Sequence, residues 1–151
     1  QELLRETGSY QVPDFSPKEK FLQEYSILGL NAATHLMAFL RPHLEHRHIA
    51  NSHKLEQLPP GENVSAAGIV IRPHRPPTKS GRTVVFLTLE DEFGMIDVTV
   101  FENVYQKYGH IIFTEPALIV WGKLEQRGNA KSITARRIEA LPLASAWAID
   151  A

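Results

Sequence analysis

Two clusters of cationic side chains and two phenylalanines have the chemistry that an unpaired nucleic acid strand requires. Arginine and lysine bind phosphates, and a flat aromatic ring stacks on a base with about 1–3 kcal/mol, both largely independently of base sequence. One cluster lies between residues 72 and 82, and the other lies between residues 123 and 137. The candidate binding residues are Arg72, Arg75, Lys79, Arg82, Phe86, Phe101, Lys123, Arg127, Lys131 and Arg136. Arg137 follows Arg136 on a predicted strand, so the two are expected to point in opposite directions.

The stretch from Thr83 to Phe101 must position the aromatic rings. Two runs of alternating residues flank an acidic turn at residues 90–94, which predicts a β-hairpin. One face of each run is aliphatic and is expected to be buried. Phe86 and Phe101 fall on the opposite face, where a ligand could reach them.

Helices are predicted upstream of the hairpin. Ser16-Pro17-Lys18-Glu19 is a capping box, and it starts a helix of about three turns that ends near Gly29. A second helix is expected from about Ala33 to Leu40, ending before Pro42 because the residue before proline disfavours the α region. A short third helix is expected over about residues 53–58, with Ser52 as its cap.

From residue 62 onward the apolar period changes from about 3.6 to 2 residues. The first predicted strand spans about 63–72 and is followed by the hairpin. A short helix is predicted at about 103–109, and two further strands at about 117–126 and 130–140. This order, β-β-β-α-β-β, predicts a mainly β fold, a five-stranded OB-fold barrel preceded by a small helical segment. The small residues Ala66-Ala67-Gly68 suit a first strand that bends or is shared between two sheets.

The predicted organisation is a helical segment (1–62), an OB-fold domain (63–141) and a tail (142–151). An OB barrel presents the outer face of strands two and three and two adjoining loops to oligonucleotides, which is where the candidate residues fall. Other interpretations remain open: Phe86 could pack under a helix, and the loop cations could be merely solvated. Trp121 faces outward and is expected to contact the N-terminal helices rather than a base. Glu90, Asp91 and Glu92 are expected to be solvated turn residues rather than catalytic acids.

Composition excludes several classes of site. The 151 residues carry a net charge of −1 and no cysteine, so a disulfide or a thiolate metal site is excluded. His43, His46, His48 and His53 could hold zinc, but no carboxylate or thiolate stands at a ligand spacing. No phosphate loop or nucleophile motif is present, so no catalytic residue and no cofactor is expected within this chain. The charged start without Met suggests a fragment of a longer protein, and no apolar run approaches the length of a membrane span.

Several segments resemble the OB domain of bacterial DNA polymerase III alpha subunits. These are the hairpin Val84–Gly94, Ala67–Val70 before it, Val120–Leu124 after it, and Tyr25–Leu30 upstream. The loop Arg72–Gly81 is more similar to the error-prone branch than to the replicative branch. The resemblance covers roughly residues 16–141, although aminoacyl-tRNA synthetases carry a related hairpin. Leu36, Phe93 and Trp121 depart from the family pattern.

The resemblance implies that the chain belongs to a bacterial DNA-directed DNA polymerase, a nucleotidyltransferase that uses Mg²⁺ and whose catalytic aspartates lie far upstream. It implies a single-stranded DNA (template) binding module acting in DNA replication or in error-prone synthesis and repair. Other polymerase domains, and replisome or mutasome proteins, would be its partners in the bacterial cytoplasm and nucleoid, with no membrane. Two alternatives are a protein-docking domain within the polymerase assembly and the anticodon-type OB module of a tRNA-binding protein.

Overall fold

Five strands form a closed barrel in the computed structural model, which describes residues 32–141. Its elements are α1 (Ala32–His46), α2 (Ser52–Gln57), β1 (Asn63–His74), β2 (Val84–Glu90), β3 (Met95–Phe101), α3 (Glu102–Thr114), β4 (Ala117–Arg127) and β5 (Ala130–Ala140). The β-β-β-α-β-β order confirms the predicted OB-fold class. The helix predicted from Ser16 to Gly29 and the tail at 142–151 lie outside the described residues.

The strand order around the barrel is β1-β2-β3-β5-β4, and β4 returns to β1. All neighbours are antiparallel except β3 and β5, which run parallel. Strand β1 is shared, because Asn63–Ile69 pairs with β4 while the second half of the strand pairs with β2. Closing a sheet into a small barrel requires strongly tilted and staggered strands, and a strand shared between two partners allows this closure.

Gly68 sits at the point where β1 changes partner. A Cβ atom at this position would lie 2.7 Å from the carbonyl oxygen of Glu90, which is closer than side chains tolerate. Ala66 and Ala67 on the same stretch are fully buried. The expectation that the first strand is shared near residues 66–68 is therefore confirmed, and the close approach of the β2 backbone is the reason that position 68 has no side chain.

Two apolar clusters hold the described residues together. The barrel interior contains the aliphatic faces of all five strands, with Leu87, Val98 and Leu124 almost fully buried. The second cluster lies between α1 and the outer face of β1 and β4, where Met37 and Leu44 of the helix are fully buried. Helix α1 thus covers one outer face of the barrel, on β1 and β4.

The helix ends differ from those predicted. Helix α1 continues through Pro42 to His46, so the predicted end before Pro42 is wrong. A proline inside a helix costs about 3 kcal/mol, but burial of Leu44 in the next turn offsets that cost. In α2 the cap is Asn51, whose Oδ1 accepts the Lys54 N–H at 2.7 Å, so the prediction of Ser52 as the cap is also wrong.

Helix α3 extends past the predicted end at Gly109 and reaches Thr114. Ile112, which follows that glycine, is fully buried in the barrel cluster, so packing extends the helix beyond what local propensity indicates. The helix connects β3 to β4.

Candidate nucleic-acid interface

An open groove of about 840 Å³ crosses the outer face of β2, β3 and β5. Its walls are the segment after β1, which includes Pro76 and Pro77, and the turn between β4 and β5. The groove therefore occupies the surface that an OB barrel offers to oligonucleotides. Helix α1 packs on a different face, that of β1 and β4. Among the described residues, no helical residue lines the groove.

The two predicted aromatic residues both line the groove. Phe86 is 40% exposed and Phe101 is 47% exposed. The ring of His74 lies 5.8 Å from that of Phe86, centroid to centroid, with the planes tilted by 32°. An imidazole beside a phenyl ring widens the flat surface on which a base can stack. His74 is not among the binding residues predicted from the sequence.

Three predicted cations reach the groove: Arg72, Arg127 and Lys131. Arg72 has a φ of 50°, an unusual conformation for a residue with a side chain, and it lies where the β1–β2 register shifts between Ile71 and His74. The bulge breaks the normal alternation, and Arg72 and His74 both line the groove. Arg127 precedes Gly128, whose φ of 60° makes the tight turn into β5.

The remaining floor of the groove is polar, and the sequence-based prediction missed it. It is formed by Thr88, Asp97, Thr99, Glu125, Ser132 and Thr134. The outward positions of Thr88, Asp97 and Thr99 follow from the alternation of the hairpin. Ser132 and Thr134 of β5 join the floor only because β5 pairs in parallel with β3, and no local sequence pattern predicts that pairing.

Comparison with known proteins agrees with this geometry. The model of a family described as an OB-fold nucleic acid binding domain (tRNA_anti-codon) matches residues 56–141. The chain belongs to this OB-fold family. The matched residues of the OB domain run from α2 to the end of the barrel and include the whole groove.

Two relatives of this chain carry the same name. An error-prone DNA polymerase of Symbiobacterium thermophilum is 46% identical over 136 residues, covering 89% of this chain and 12% of that protein. The error-prone DNA polymerase of Pseudomonas aeruginosa is 33% identical over 136 residues, covering 90% of this chain and 13% of that protein. These matches confirm the resemblance to the error-prone branch. The chain spans about an eighth of the length of the polymerases it matches.

Among solved structures, asparaginyl-tRNA synthetase from Pyrococcus horikoshii, complexed with asparaginyl-adenylate, superposes with a TM-score of 0.51. The identity is 18%, and the alignment covers 62% of this chain and 22% of that one. A likeness at this identity shows the shared barrel fold.

The other predicted cations of the OB domain lie outside the groove wall. Lys79 and Arg82 are exposed on the β1–β2 loop. Arg75 donates from Nη1 to the Tyr105 hydroxyl at 3.0 Å, and its guanidinium lies 5.7 Å from that ring centroid. Lys123 is exposed on β4, paired with Thr134 of β5. Three of the eight predicted cations thus line the groove, and the other five do not.

Lys131 lines the groove but already has partners. Its Nζ donates to the carbonyl oxygens of Glu56 and Leu58, each at 2.6 Å. These carbonyls lie at the C-terminal end of α2, where a cation is favourable. Lys131 therefore ties β5 to α2, and a phosphate would have to share its charge with these two carbonyls.

Arg136 lies on the side of the barrel away from the groove. The β4–β5 register shifts at Trp121 and Gly122, which pair with Arg137 and Ala135, so Arg136 is the extra residue of a bulge. Both arginines are exposed, Arg136 beside Trp121 in a separate pocket and Arg137 with its guanidinium 4.5 Å from the Trp121 centroid. The prediction that they point in opposite directions is therefore wrong, because the bulge suspends the alternation.

Trp121 packs against the α1 cluster, as its favoured interpretation expected. The guanidinium of Arg47, just after α1, also lies 5.7 Å from the Trp121 centroid. Glu139 forms ion pairs with both Arg47 and Arg137. Trp121 is thus half-buried among residues of the helical side and does not line the groove.

The carboxylates of the hairpin turn are not simply solvated, because Asp91 is buried and Glu90 and Glu92 are half-buried, which corrects that part of the prediction. Asp91 is only 4% exposed. It accepts the backbone N–H of Phe93 and Gly94 at 2.9 and 3.0 Å, as turn chemistry predicts. It also accepts the Ser52 N–H and hydroxyl, both at 2.7 Å, and these bonds attach the turn to α2.

Arg41 of α1 completes this attachment. Its Nε and Nη2 each donate to Glu92 at 2.7 Å in a bidentate pair, and Nη2 also lies 3.6 Å from Asp91. Burial, the largest single influence, disfavours the ionised Glu92 carboxyl, but the Arg41 hydrogen bond, a backbone hydrogen bond and the Arg41 charge together outweigh it and lower the pKa of Glu92. Burial likewise opposes the charged guanidinium, and the bond to Glu92 with the nearby carboxylates nevertheless raises the pKa of Arg41.

The structure offers no metal centre among residues 32–141. Within that range no group of three or more His, Asp or Glu side chains is placed to hold a metal ion. His43, His46, His48 and His53 are all exposed. The Mg²⁺ implied by the polymerase resemblance therefore has no fitting ligand set in the described part of the chain. No helix in that part is long and apolar enough to cross a membrane.

Proposed function

We propose that this OB domain binds single-stranded DNA and serves as the template-strand module of an error-prone DNA polymerase. The observation that carries the proposal is the open groove with Phe86 and Phe101 exposed between cationic walls. Aromatic faces supply stacking and cations supply phosphate contacts, which together bind an unpaired strand without base selection. The name shared by the relatives supports DNA as the nucleic acid.

The whole protein would be a nucleotidyltransferase acting at the bacterial nucleoid in replication or error-prone repair. Its catalytic carboxylates and Mg²⁺ would belong to parts outside this chain, since the chain spans 12% of a relative. Other polymerase domains, and proteins of the replisome or mutasome, would contact the domain on surfaces away from the groove.

Fluorescence titration with a labelled oligothymidylate at several salt concentrations tests the proposal. Three to five phosphate contacts predict a micromolar dissociation constant at moderate salt and a log–log salt slope of about −2 to −3.5. Arg127→Ala removes a cation at the groove and should make the slope shallower by about 0.7. Lys107→Ala is the matched control, because Lys107 is an exposed cation on α3 that does not line the groove.

No binding at millimolar protein, or binding that ignores salt, would contradict the proposal. If Arg127→Ala leaves DNA affinity unchanged, docking onto another part of the polymerase becomes the better function. One observation already favours that second candidate. Phe93 and Met95, at the hairpin tip and outside the groove, are 58% and 61% exposed. A third outcome, tighter binding of an RNA oligomer of equal length, would favour the anticodon-type alternative.

A further inference from the structure

One row of polar residues crosses the floor of the groove, with one member from each of four strands. Thr88 of β2 stands opposite Asp97 of β3, Asp97 pairs with Ser132 of β5, and Ser132 pairs with Glu125 of β4. All four line the groove. The floor beside the phenylalanines therefore carries two carboxylates, which is unexpected in a surface that must attract a polyanion.

Both carboxylates keep hydrogen-bonding capacity for a ligand. Thr88 Oγ1 donates to Asp97 Oδ1 at 3.1 Å, and Thr134 Oγ1 donates to Glu125 Oε2 at 3.2 Å. Each carboxylate thus has its second oxygen without a side-chain partner within residues 35–141. Both residues are exposed, and neither forms an ion pair with a side chain of that same range. An ionised carboxylate only accepts hydrogen bonds, so its ligand must donate.

The charges of the groove orient the strand. A phosphate placed on the floor would meet Asp97 and Glu125 and be repelled, whereas at the walls it would meet Arg72 and Arg127. The phosphates are therefore expected along the walls, and the base edges point toward the floor. A base that stacks near Phe86 then presents its Watson–Crick edge to Asp97, two positions away across the β2–β3 pair.

We propose that Asp97, together with Glu125 two strands away in the same row, makes this groove prefer bases that present N–H donors, guanine above all, over thymine. Guanine offers N1–H and N2–H side by side, which match the two oxygens of a carboxylate. Cytosine and adenine offer one amino group next to a ring nitrogen that accepts. Thymine offers one N–H between two carbonyl oxygens, which repel a carboxylate. Carboxylates likewise read the cytosine amino group in duplex DNA.

This inference rests on the proposed single-strand binding. Its test distinguishes a failure of the base preference from a failure of single-strand binding itself. The probes are four labelled oligomers of about 12 nucleotides, within the site size of an OB domain. One is all thymine, and the others carry one central guanine, cytosine or adenine. The phosphate number is the same in all four, so the salt-dependent contribution to affinity cancels. The guanine oligomer is expected to bind about fivefold more tightly than the thymine oligomer, the low end for base contacts because the groove is open.

Asp97→Asn tests the residue itself. Asparagine keeps an oxygen that can accept from Thr88 but loses the charge, so the guanine preference should fall below about twofold while affinity for the thymine oligomer stays equal or rises. Glu62→Gln is the matched control, since Glu62 is exposed in the loop before β1 and does not line the groove, and it should keep the full preference. Circular dichroism verifies that both variants fold.

Four equal affinities, or a guanine preference that survives in Asp97→Asn, would overturn this inference while leaving the binding function intact. If none of the four oligomers binds, the proposed function itself is overturned and this inference with it. A guanine preference that disappears in Asp97→Asn and persists in Glu62→Gln supports the assignment to Asp97.

Discussion

The candidate binding side chains differ in whether the folded domain already supplies them with an interaction partner. Phe86 lies beside the imidazole of His74 and is 40% exposed, so its ring is available to a base. Arg75 and Lys131 are cations of the kind a phosphate seeks, yet the fold already supplies a tyrosine hydroxyl to one and two carbonyls to the other. Residue type alone therefore overestimates the number of binding residues.

The contribution of Phe86 can be isolated by substitution. Phe86→Ala should weaken oligothymidylate binding by about fivefold or more, because a stacked base loses roughly 1–3 kcal/mol. Phe113→Ala is the matched control, since Phe113 on α3 is 41% exposed against 40% for Phe86 and does not line the groove. Fluorescence titration at one fixed salt concentration measures both. Equal effects of the two substitutions would contradict a stacking role for Phe86.

Between elements, the decisive contact joins the β2–β3 hairpin to the two helices. Asp91 binds the first residue of α2, and Glu92 binds Arg41 of α1. These bonds fix the hairpin that carries Phe86 and Phe101 relative to the helical segment. Asp91 and Glu92 thus form a structural clamp, which a count of carboxylates in a turn does not reveal.

The clamp predicts an acid-sensitive stability. The pKa of Glu92 is lowered in the folded state, so its stabilisation is complete above the unfolded value of about 4.3 and is lost as pH falls through the folded pKa. Glu92→Gln removes the bidentate ionic partner of the buried Arg41 and leaves it only the longer contact with Asp91, so the substitution should cost about 3 kcal/mol at neutral pH. Glu92→Gln should lose less stability than the wild-type protein on acidification. The urea unfolding midpoints of the variant and the wild type should therefore converge at low pH.

A surface carboxylate controls for general acid effects. Glu62→Gln, at an exposed position, should follow the wild-type midpoints across the whole pH range. Parallel loss of stability in wild type and Glu92→Gln would show that the Arg41–Glu92 pair does not link stability to pH.

For the whole molecule, the helices and the barrel share buried surface. Helix α1 covers Ala67, Ile69 and Ile119 of the barrel, and Leu55 of α2 belongs to the barrel interior. The predicted division at residues 62 and 63 follows a change of sequence period, but the described core crosses it. The division remains a prediction about independent folding, and it can be tested.

A fragment of residues 63–141 should be much less stable than one of residues 32–141. It would expose the outer face of β1 and β4 and lose the clamp on the hairpin, so several apolar side chains worth about 1.5–3 kcal/mol each lose their burial. Thermal denaturation followed by circular dichroism should show a melting temperature lower by more than about 10 °C. Equal melting temperatures would establish residues 63–141 as an independent unit.

Signals local to the chain were enough to predict the barrel and the outward face of its hairpin. Three signals specify the OB order: an apolar period of two, a stretch of small residues at 66–68, and one helix between strands. Each signal depends only on neighbours in the chain, so it can be recognised in the sequence. The β5 strand was predicted with its observed bounds, Ala130–Ala140. The outward positions of Phe86 and Phe101 followed from the same alternation.

Which charges face the groove depends on contacts between residues that are far apart in the sequence. The bulges at Arg72 and Arg136 interrupt the alternation, and their positions depend on how β1 and β5 bend to close the barrel. The floor with Asp97 and Ser132 exists because β3 and β5 pair although they are distant in sequence. Contacts between distant residues are set by packing and closure of the whole barrel, so no local pattern of residues encodes them.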